Sequence, residues 1–250
     1  VADPDADRIA IFDERSKAPA GEMKMVAPHI VQIHPKTGAV YVCTYVPQDK
    51  PSADGQPRNV NANLLKFASA KEDKPAYQLA LPRTGLSPNY GTHRIVLDAT
   101  GEQPIIWVPG IPYGGKASRL SCYRDTGSAF EPVALSEPAG PWGDGPRDLL
   151  YDARRDELYV KVQGEKWHQF ECKSDKLVRT VQFPRNFGGP SGGSSGSQLG
   201  VDVEGNYITH CWGEKSGLMR WSRDLKPLNW DGKDTHRTDW GGMMTFQLNY

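Results

Sequence analysis

Apolar and polar residues alternate along the chain in short runs that are separated by charged turns. In five places an apolar alternation runs into such a turn and out again, which is a β-hairpin signal. The residues that mark these places are Phe12, Phe67, Cys122, Cys172 and Trp221, and the steps between them are 55, 55, 50 and 49 residues. The sequence Arg-Leu-Ser-Cys-Tyr-Arg-Asp around Cys122 is a representative copy.

A second hairpin recurs between these runs and opens its turn on a polar residue. Residues 30–42 are one copy, in which Pro-Lys-Thr-Gly supplies the turn and Gly38 the positive φ that a tight turn needs. The turn-opening residues are His34, Asp98, Asp152 and Asp202, and Asn249 takes the same place in the last predicted strand.

A repeat of about 50 residues built from two hairpins predicts a β-propeller, because a single blade cannot bury both of its faces. We therefore predict an all-β fold with four-stranded blades, formed by one domain over residues 1–250. The predicted units are a half-blade at 1–28, complete blades at about 29–82, 93–136, 147–184 and 197–230, and a half-blade at 238–250. Either the two half-blades combine into a fifth blade, or the chain is a processed piece of a parent with six or more blades. The second alternative is slightly favoured, because the chain starts at Val1 and both ends fall within a blade.

The amino-acid composition agrees with this architecture and argues against some classes of partner. The 26 glycines and 20 prolines suit short strands and tight turns. Thirty basic residues balance 30 acidic ones, so we expect no nucleic-acid partner. No apolar run approaches the roughly 18 residues of a membrane span.

Three segments resemble the NHL-type propellers and their bacterial relatives. The sequence Asp-Arg-Ile-Ala-Ile-Phe-Asp at 7–13 resembles the outer-hairpin signature of that family, and residues 34–42 and 201–208 resemble its inner-hairpin signature. The family contains binding modules and a few enzymes, so the resemblance implies a fold and leaves the function open. The chain departs from the pattern at His34 and at 154–156, where Arg-Arg-Asp replaces a glycine turn.

An aromatic residue followed by glycine precedes the first strand of each later unit. In a propeller these side chains either plug the gaps between blades or form an apolar collar around the channel mouth, where a partner binds. The four aromatic residues are Tyr90, Trp142, Phe187 and Trp240.

The position five residues before each turn-opening residue is His29, His93, Arg147, Ser197 or Met244. We expect these side chains near the channel entrance. In lyase-type enzymes of the resembled family two such histidines bind a metal ion, but Arg147 would repel a cation. We therefore predict bonds to the backbone or contact with an anionic group of a partner.

The turn-opening column has two interpretations. A ring of carboxylates could hold a cation, or each side chain could accept hydrogen bonds from its own turn. We predict the second, because a position repeated in every blade belongs to the scaffold.

The four cysteines fall one to each complete unit and show no metal-binding or haem-attachment spacing. We predict that Cys43, Cys122, Cys172 and Cys211 are unpaired and mostly buried. Unpaired thiols do not decide the redox compartment. Our expectation is an extracytoplasmic protein, periplasmic or secreted.

The sequence favours a non-enzymatic binding or scaffold module that engages another protein, or another domain of a parent chain, through its channel mouth. We assign no catalytic residue, metal ligand or cofactor. The alternative is a metal-dependent hydrolase or lyase that holds Ca²⁺ or Zn²⁺ on the propeller axis with His29, His93 and either Asp144 or Asp239. A third hypothesis is glycan binding by sugars that stack on the collar.

Overall fold

A computed structural model describes the chain at residues 1–47, 60–81, 95–108, 120–134, 146–162, 166–173, 176–182, 199–211, 217–228 and 237–238. Apart from a 3-10 turn at Pro4–Ala6, the regular structure of these residues consists of β-strands. They form five antiparallel sheets, which we number as blades 1 to 5 in chain order. No helix of this part of the chain is long and apolar enough to cross a bilayer.

Strand order within each blade follows the sequence, because successive strands are joined as antiparallel neighbours, except that the last strand of blade 5 pairs with the third. Blade 1 contains β1 (Ala2–Asp3), β2 (Arg8–Phe12) and β3 (Pro19–Lys24). Blade 2 contains β4 (Pro28–Ile33), β5 (Val40–Pro47), β6 (Val60–Phe67) and β7 (Tyr77–Ala80). Blade 3 contains β8 (Val96–Asp98), β9 (Ile105–Val108), β10 (Ser121–Asp125) and β11 (Phe130–Pro132). Blade 4 contains β12 (Pro146–Asp152), β13 (Glu157–Val162), β14 (Lys166–Lys173) and β15 (Lys176–Gln182). Blade 5 contains β16 (Leu199–Val201), β17 (Tyr207–Cys211), β18 (Gly217–Trp221), β19 (Pro227–Leu228) and β20 (Arg237–Thr238).

The two ends of the described chain differ in detail from the predicted half-blades. A two-residue strand, β1, pairs with β2 ahead of the predicted outer hairpin. It is too short to show an alternation in the sequence. At the other end β20 pairs with β18, so Thr238 belongs to the outer part of blade 5. Residues 239–250 lie outside the described chain, and the blade boundaries stay a prediction.

The core lies between successive blades, in four clusters of buried side chains. Blade 1 packs on blade 2 through Ile9, Met23, Val40 and Val42, among others. The next three clusters join blades 2 and 3, blades 3 and 4, and blades 4 and 5. Each described blade therefore packs against the following one, which buries the faces that a single blade would leave exposed.

The first strands of neighbouring blades lie at the hub of this arrangement. Strand β8 contacts β12, and β12 contacts β16, whereas the outer strands of these blades make no comparably close approach among the described residues. Sheets that converge at their first strands and diverge outwards are arranged radially. The prediction of an all-β propeller with four-stranded blades is confirmed.

The turn-opening column is part of the scaffold, as predicted. Asp98, Asp152 and Asp202 each accept a hydrogen bond through Oδ1 from the backbone N–H two residues further on, at 2.9, 3.1 and 3.0 Å. His34 makes the same bond through Nδ1, at 3.2 Å from the N–H of Lys36.

The arginines that depart from the repeat pattern join blade 4 to blade 5. Arg154 donates from Nη2 to the carbonyl oxygen of Asp202 at 2.8 Å, and Arg155 donates to that of Val203 at 3.3 Å. Arg155 also pairs with Asp152 at 2.7 Å, which holds its guanidinium against the next blade. Two departures from the family pattern thus have a structural role.

Gly205→Ala should lower the free energy of unfolding by about 1–2 kcal/mol, because Gly205 has φ +89° and a Cβ there would lie 2.6 Å from Arg155 Nη2. Urea unfolding of the purified protein measures this loss. Gly38→Ala is the matched control for conformation, because Gly38 has φ +73° and open space around it. An effect at Gly205 no larger than that at Gly38 would show that Arg155 moves aside at no cost.

Two of the four predicted unpaired thiols can be checked. Cys43 and Cys122 are buried and free. Burial raises the pKa of each thiol to about 12. The prediction is confirmed for these two, and the side chains of Cys172 and Cys211 are not described.

Candidate functional site

The described blades have two distinct ends. The described turns that open on His34, Asp98, Asp152 and Asp202 lie at one end, and the first strand of each blade begins at the other end. Tyr90, His93, Trp142, Phe187 and Trp240 lie outside the described residues, so their assignment to the collar stays a prediction. His29 and the backbone of Arg147 are described.

His29 lies in a β-bulge at the start of blade 2. Strand β4 pairs with β5 through Pro28 and Thr44 and then through Ile30 and Cys43, which leaves His29 out of the ladder. A bulge bends the strand and redirects the side chain of the extra residue. The side chain at position 29 is thereby freed from the regular alternation of the sheet.

Arg147 occupies the same place in blade 4. Strand β12 pairs with β13 through Pro146 and Val162 and then through Asp148 and Lys161, so Arg147 is skipped as His29 is. In both blades a proline precedes the bulged residue. Proline lacks the N–H that a regular ladder would use, which is why it is common at bulges. The bulge is therefore a repeated feature of the first strand.

The surroundings of His29 favour its neutral form. Its ring lies 4.9 Å from the ring of Tyr45, measured between centroids, at an angle of 58°. Burial lowers the pKa of His29, and the charge of Asp5 opposes this only in part. A neutral imidazole can donate one hydrogen bond and accept another, or bind a metal ion. Among the described residues no three His, Cys, Asp or Glu side chains are grouped so that they could hold a metal ion.

Sequence analysis missed a buried charged network between blades 2 and 3. Asp125, at the end of β10, is 1% exposed. Its carboxylate accepts hydrogen bonds from Tyr41 at 2.5 Å and from Tyr77, and it pairs with Lys66 Nζ at 2.7 Å. The N–H of Gly127 adds a fourth bond at 2.8 Å. Both oxygens of this carboxylate are thus bonded, each by two partners.

The charged form of Asp125 is stabilised by its partners. Burial alone would raise the pKa of this carboxyl, but the hydrogen bonds from Lys66, Tyr41, Tyr77 and Gly127 together hold it below its usual value. These hydrogen bonds therefore offset the cost of burying the carboxylate in its charged form.

A second network joins blades 4 and 5. Glu157 accepts hydrogen bonds from Tyr159 at 2.5 Å and from Gln169 at 2.8 Å. Arg223, from blade 5, donates to both carboxylate oxygens at 3.0 and 2.5 Å and to the hydroxyl of Tyr159 at 2.8 Å. Tyr207 donates to Gln169 at 2.8 Å. In both networks a tyrosine of one blade therefore meets a charged side chain of the following blade.

One sequence signal could have indicated these networks. Tyr41 and Tyr159 each follow a turn-opening residue, His34 or Asp152, by seven positions. The partners, Asp125 and Arg223, come from other blades and from different places in the repeat. Only the packing of the blades brings them to the tyrosines.

Comparisons with known proteins support the fold and no closer relationship. No protein-family model matches the chain. No curated protein matches it either. Solved structures do match. A hypothetical selenium-binding protein from Sulfolobus tokodaii is 12% identical with a TM-score of 0.59, and the match covers 89% of this chain and 60% of that one.

Two further structures are similar over the same share of the chain. KlAtg21, solved in complex with the coiled-coil of AgAtg16, is 9% identical with a TM-score of 0.50, and 62% of it is covered. The β-propeller domain of Cps50 (Swd1) from Myceliophteria thermophila is 14% identical with a TM-score of 0.48, and 80% of it is covered. Identities this low bear on the fold alone. The chain is a β-propeller, and its NHL type is not shown.

Proposed function

We propose that this propeller is a non-enzymatic binding module of the NHL type, which engages another protein or another domain of a longer parent through its channel mouth. The observation that carries the proposal is the repeated bulge at His29 and Arg147. It gives two blades a polar residue outside the ladder at the same end of the first strand. Bulges are common next to binding and active sites, where they redirect a side chain.

The chemistry of these positions suits an anionic group on the partner. Arginine and histidine donate hydrogen bonds to carboxylates, and arginine does so with two parallel bonds. The aromatic residues Tyr90, Trp142, Phe187 and Trp240 would surround this polar centre with apolar surface. Buried aromatic and arginine side chains contribute most of the binding free energy in many protein interfaces. A periplasmic or secreted location belongs to the same proposal.

The proposal predicts that Trp142→Ala and Trp240→Ala weaken partner binding and leave the melting temperature within a few degrees. Affinity capture from a lysate of the source cells, quantified by mass spectrometry, would show a protein retained by the wild type and lost with either variant. Arg147→Ala should weaken the same capture. Lys36→Ala is the control, because Lys36 is exposed in a turn at the opposite end of blade 2.

Two outcomes would contradict the proposal. If both tryptophan variants unfold, the aromatic residues plug the gaps between blades and form no collar. If elemental analysis of the purified protein finds stoichiometric Ca²⁺ or Zn²⁺ that His29→Ala removes, the metal-dependent hydrolase or lyase replaces the binding module.

A further inference from the structure

The interfaces between blades are built in two different ways. In interfaces 2–3 and 4–5 a tyrosine of the second strand bonds to a charged side chain of the next blade. In interface 2–3 Tyr41 bonds to Asp125 of the next blade, and in interface 4–5 Tyr159 bonds to Arg223 of the next blade. Hydrogen bonds to charged groups are about twice as strong as neutral ones. These two interfaces are therefore held by hydrogen bonds to charged side chains as well as by apolar packing.

Among the described residues of interface 3–4, the corresponding position carries a tryptophan and not a tyrosine. Trp107 lies in β9 where Tyr41 lies in β5 and Tyr159 in β13, because each pairs with the residue two positions before the turn-opening residue of its blade. Its side chain packs with Leu149, Leu158 and other apolar residues of blade 4. Trp107 is 5% exposed, and within the described part of the chain its indole N–H has no acceptor.

An unpaired buried donor favours opening of the interface that contains it. The indole N–H regains a hydrogen bond from water when the two blades separate, so burial of this group costs free energy in the closed state. Among the described residues, the hydroxyl of Tyr151 in blade 4 also lies near the exposed side chain of Thr100 in blade 3. Exposed contacts of this kind contribute little, because water competes for both groups.

We propose that the propeller opens locally at interface 3–4, so that blades 2 and 3 stay together and blades 4 and 5 stay together. Opening at interface 3–4 breaks apolar contacts and lets the indole N–H of Trp107 form a hydrogen bond with water. Opening at interface 2–3 or 4–5 must instead break an ion pair or hydrogen bonds that join the two blades. The carboxylate of Asp125 is bonded by Tyr41, Tyr77, Lys66 and the N–H of Gly127, and Arg223 donates to both carboxylate oxygens of Glu157.

The two described cysteines report on opening of different interfaces. Cys122 lies in the core of interface 3–4 and Cys43 in that of interface 2–3. Both are buried, and the pKa of each is raised to about 12, so neither thiol reacts while its interface is closed. Native-state alkylation with N-ethylmaleimide, followed by mass spectrometry of the peptides that carry each cysteine, measures the two opening equilibria separately.

We expect Cys122 to be alkylated at least about 10-fold faster than Cys43, the factor that one hydrogen bond to a charged group gives. Equal rates would mean that both thiols are exposed only by global unfolding, and a faster rate at Cys43 would mean that the network does not hold interface 2–3. Either result overturns the proposal.

A pair of equivalent substitutions separates local opening from a general loss of stability. Tyr41→Phe should speed alkylation of Cys43 by about 10-fold and leave Cys122 unchanged, since it removes a bond to Asp125 in interface 2–3 only. Tyr159→Phe should change neither rate, because it acts on interface 4–5. Equal acceleration of both cysteines by Tyr41→Phe would contradict the proposal. If Tyr41→Phe fails to fold, Tyr77→Phe removes another bond to the same carboxylate.

Discussion

Asp125→Asn should lower the free energy of unfolding by about 3–5 kcal/mol, the loss expected when one partner of a buried ion pair is removed. The substitution keeps the shape of the side chain but leaves Lys66, whose side chain is 16% exposed, without a counter-charge. Urea unfolding at pH 7 measures the loss. Asp13→Asn is the matched control, because Asp13 accepts backbone hydrogen bonds in the corresponding turn of blade 1 but is exposed.

The same variant tests the pKa of Asp125. Because this pKa is lowered by folding, the stabilisation from the carboxylate is fully present above the unfolded-state value of about 4 and is lost as the pH falls through the lower folded-state value. The difference in stability between wild type and Asp125→Asn should therefore be constant from about pH 5 to pH 7 and shrink below pH 4. A difference that persists unchanged at pH 2 would show that charge has no part in the effect.

Leu158→Ala should cost about 2–5 kcal/mol, because Leu158 is fully buried between blades 3 and 4 and its removal leaves a cavity. The melting temperature should fall by about 2–4 °C for each kcal/mol in a domain of this size. Val203→Ala, at a side chain that is 67% exposed, should stay within about 0.5 kcal/mol of the wild type. A loss below about 1 kcal/mol at Leu158 would mean that the blades do not share a tightly packed interface.

The sequence indicated the positions of the two bulged residues but not that they lie in bulges. Counting five residues back from His34 and Asp152 selects His29 and Arg147 as special positions. The same count does not show that these two residues have no partner in the pairing of the first strand with the second. A bulge changes the register of a strand pair by one residue, and an alternation over six or seven residues is too short to reveal it.

The repeat of about 50 residues, the hairpins and the turn-opening column were determined by local sequence, because strand alternation and turn hydrogen bonds involve residues that are close along the chain. The unpaired state of Cys43 and Cys122 also followed from the repeat, which places them in different blades. The networks of Asp125 and Glu157 were decided by tertiary structure alone. Asp125 meets Tyr41 across 84 positions, and Arg223 meets Glu157 across 66. These side chains come together only when neighbouring blades pack. Hydrophobic periodicity predicts the strands, but it does not show which polar groups on two neighbouring blades will face each other.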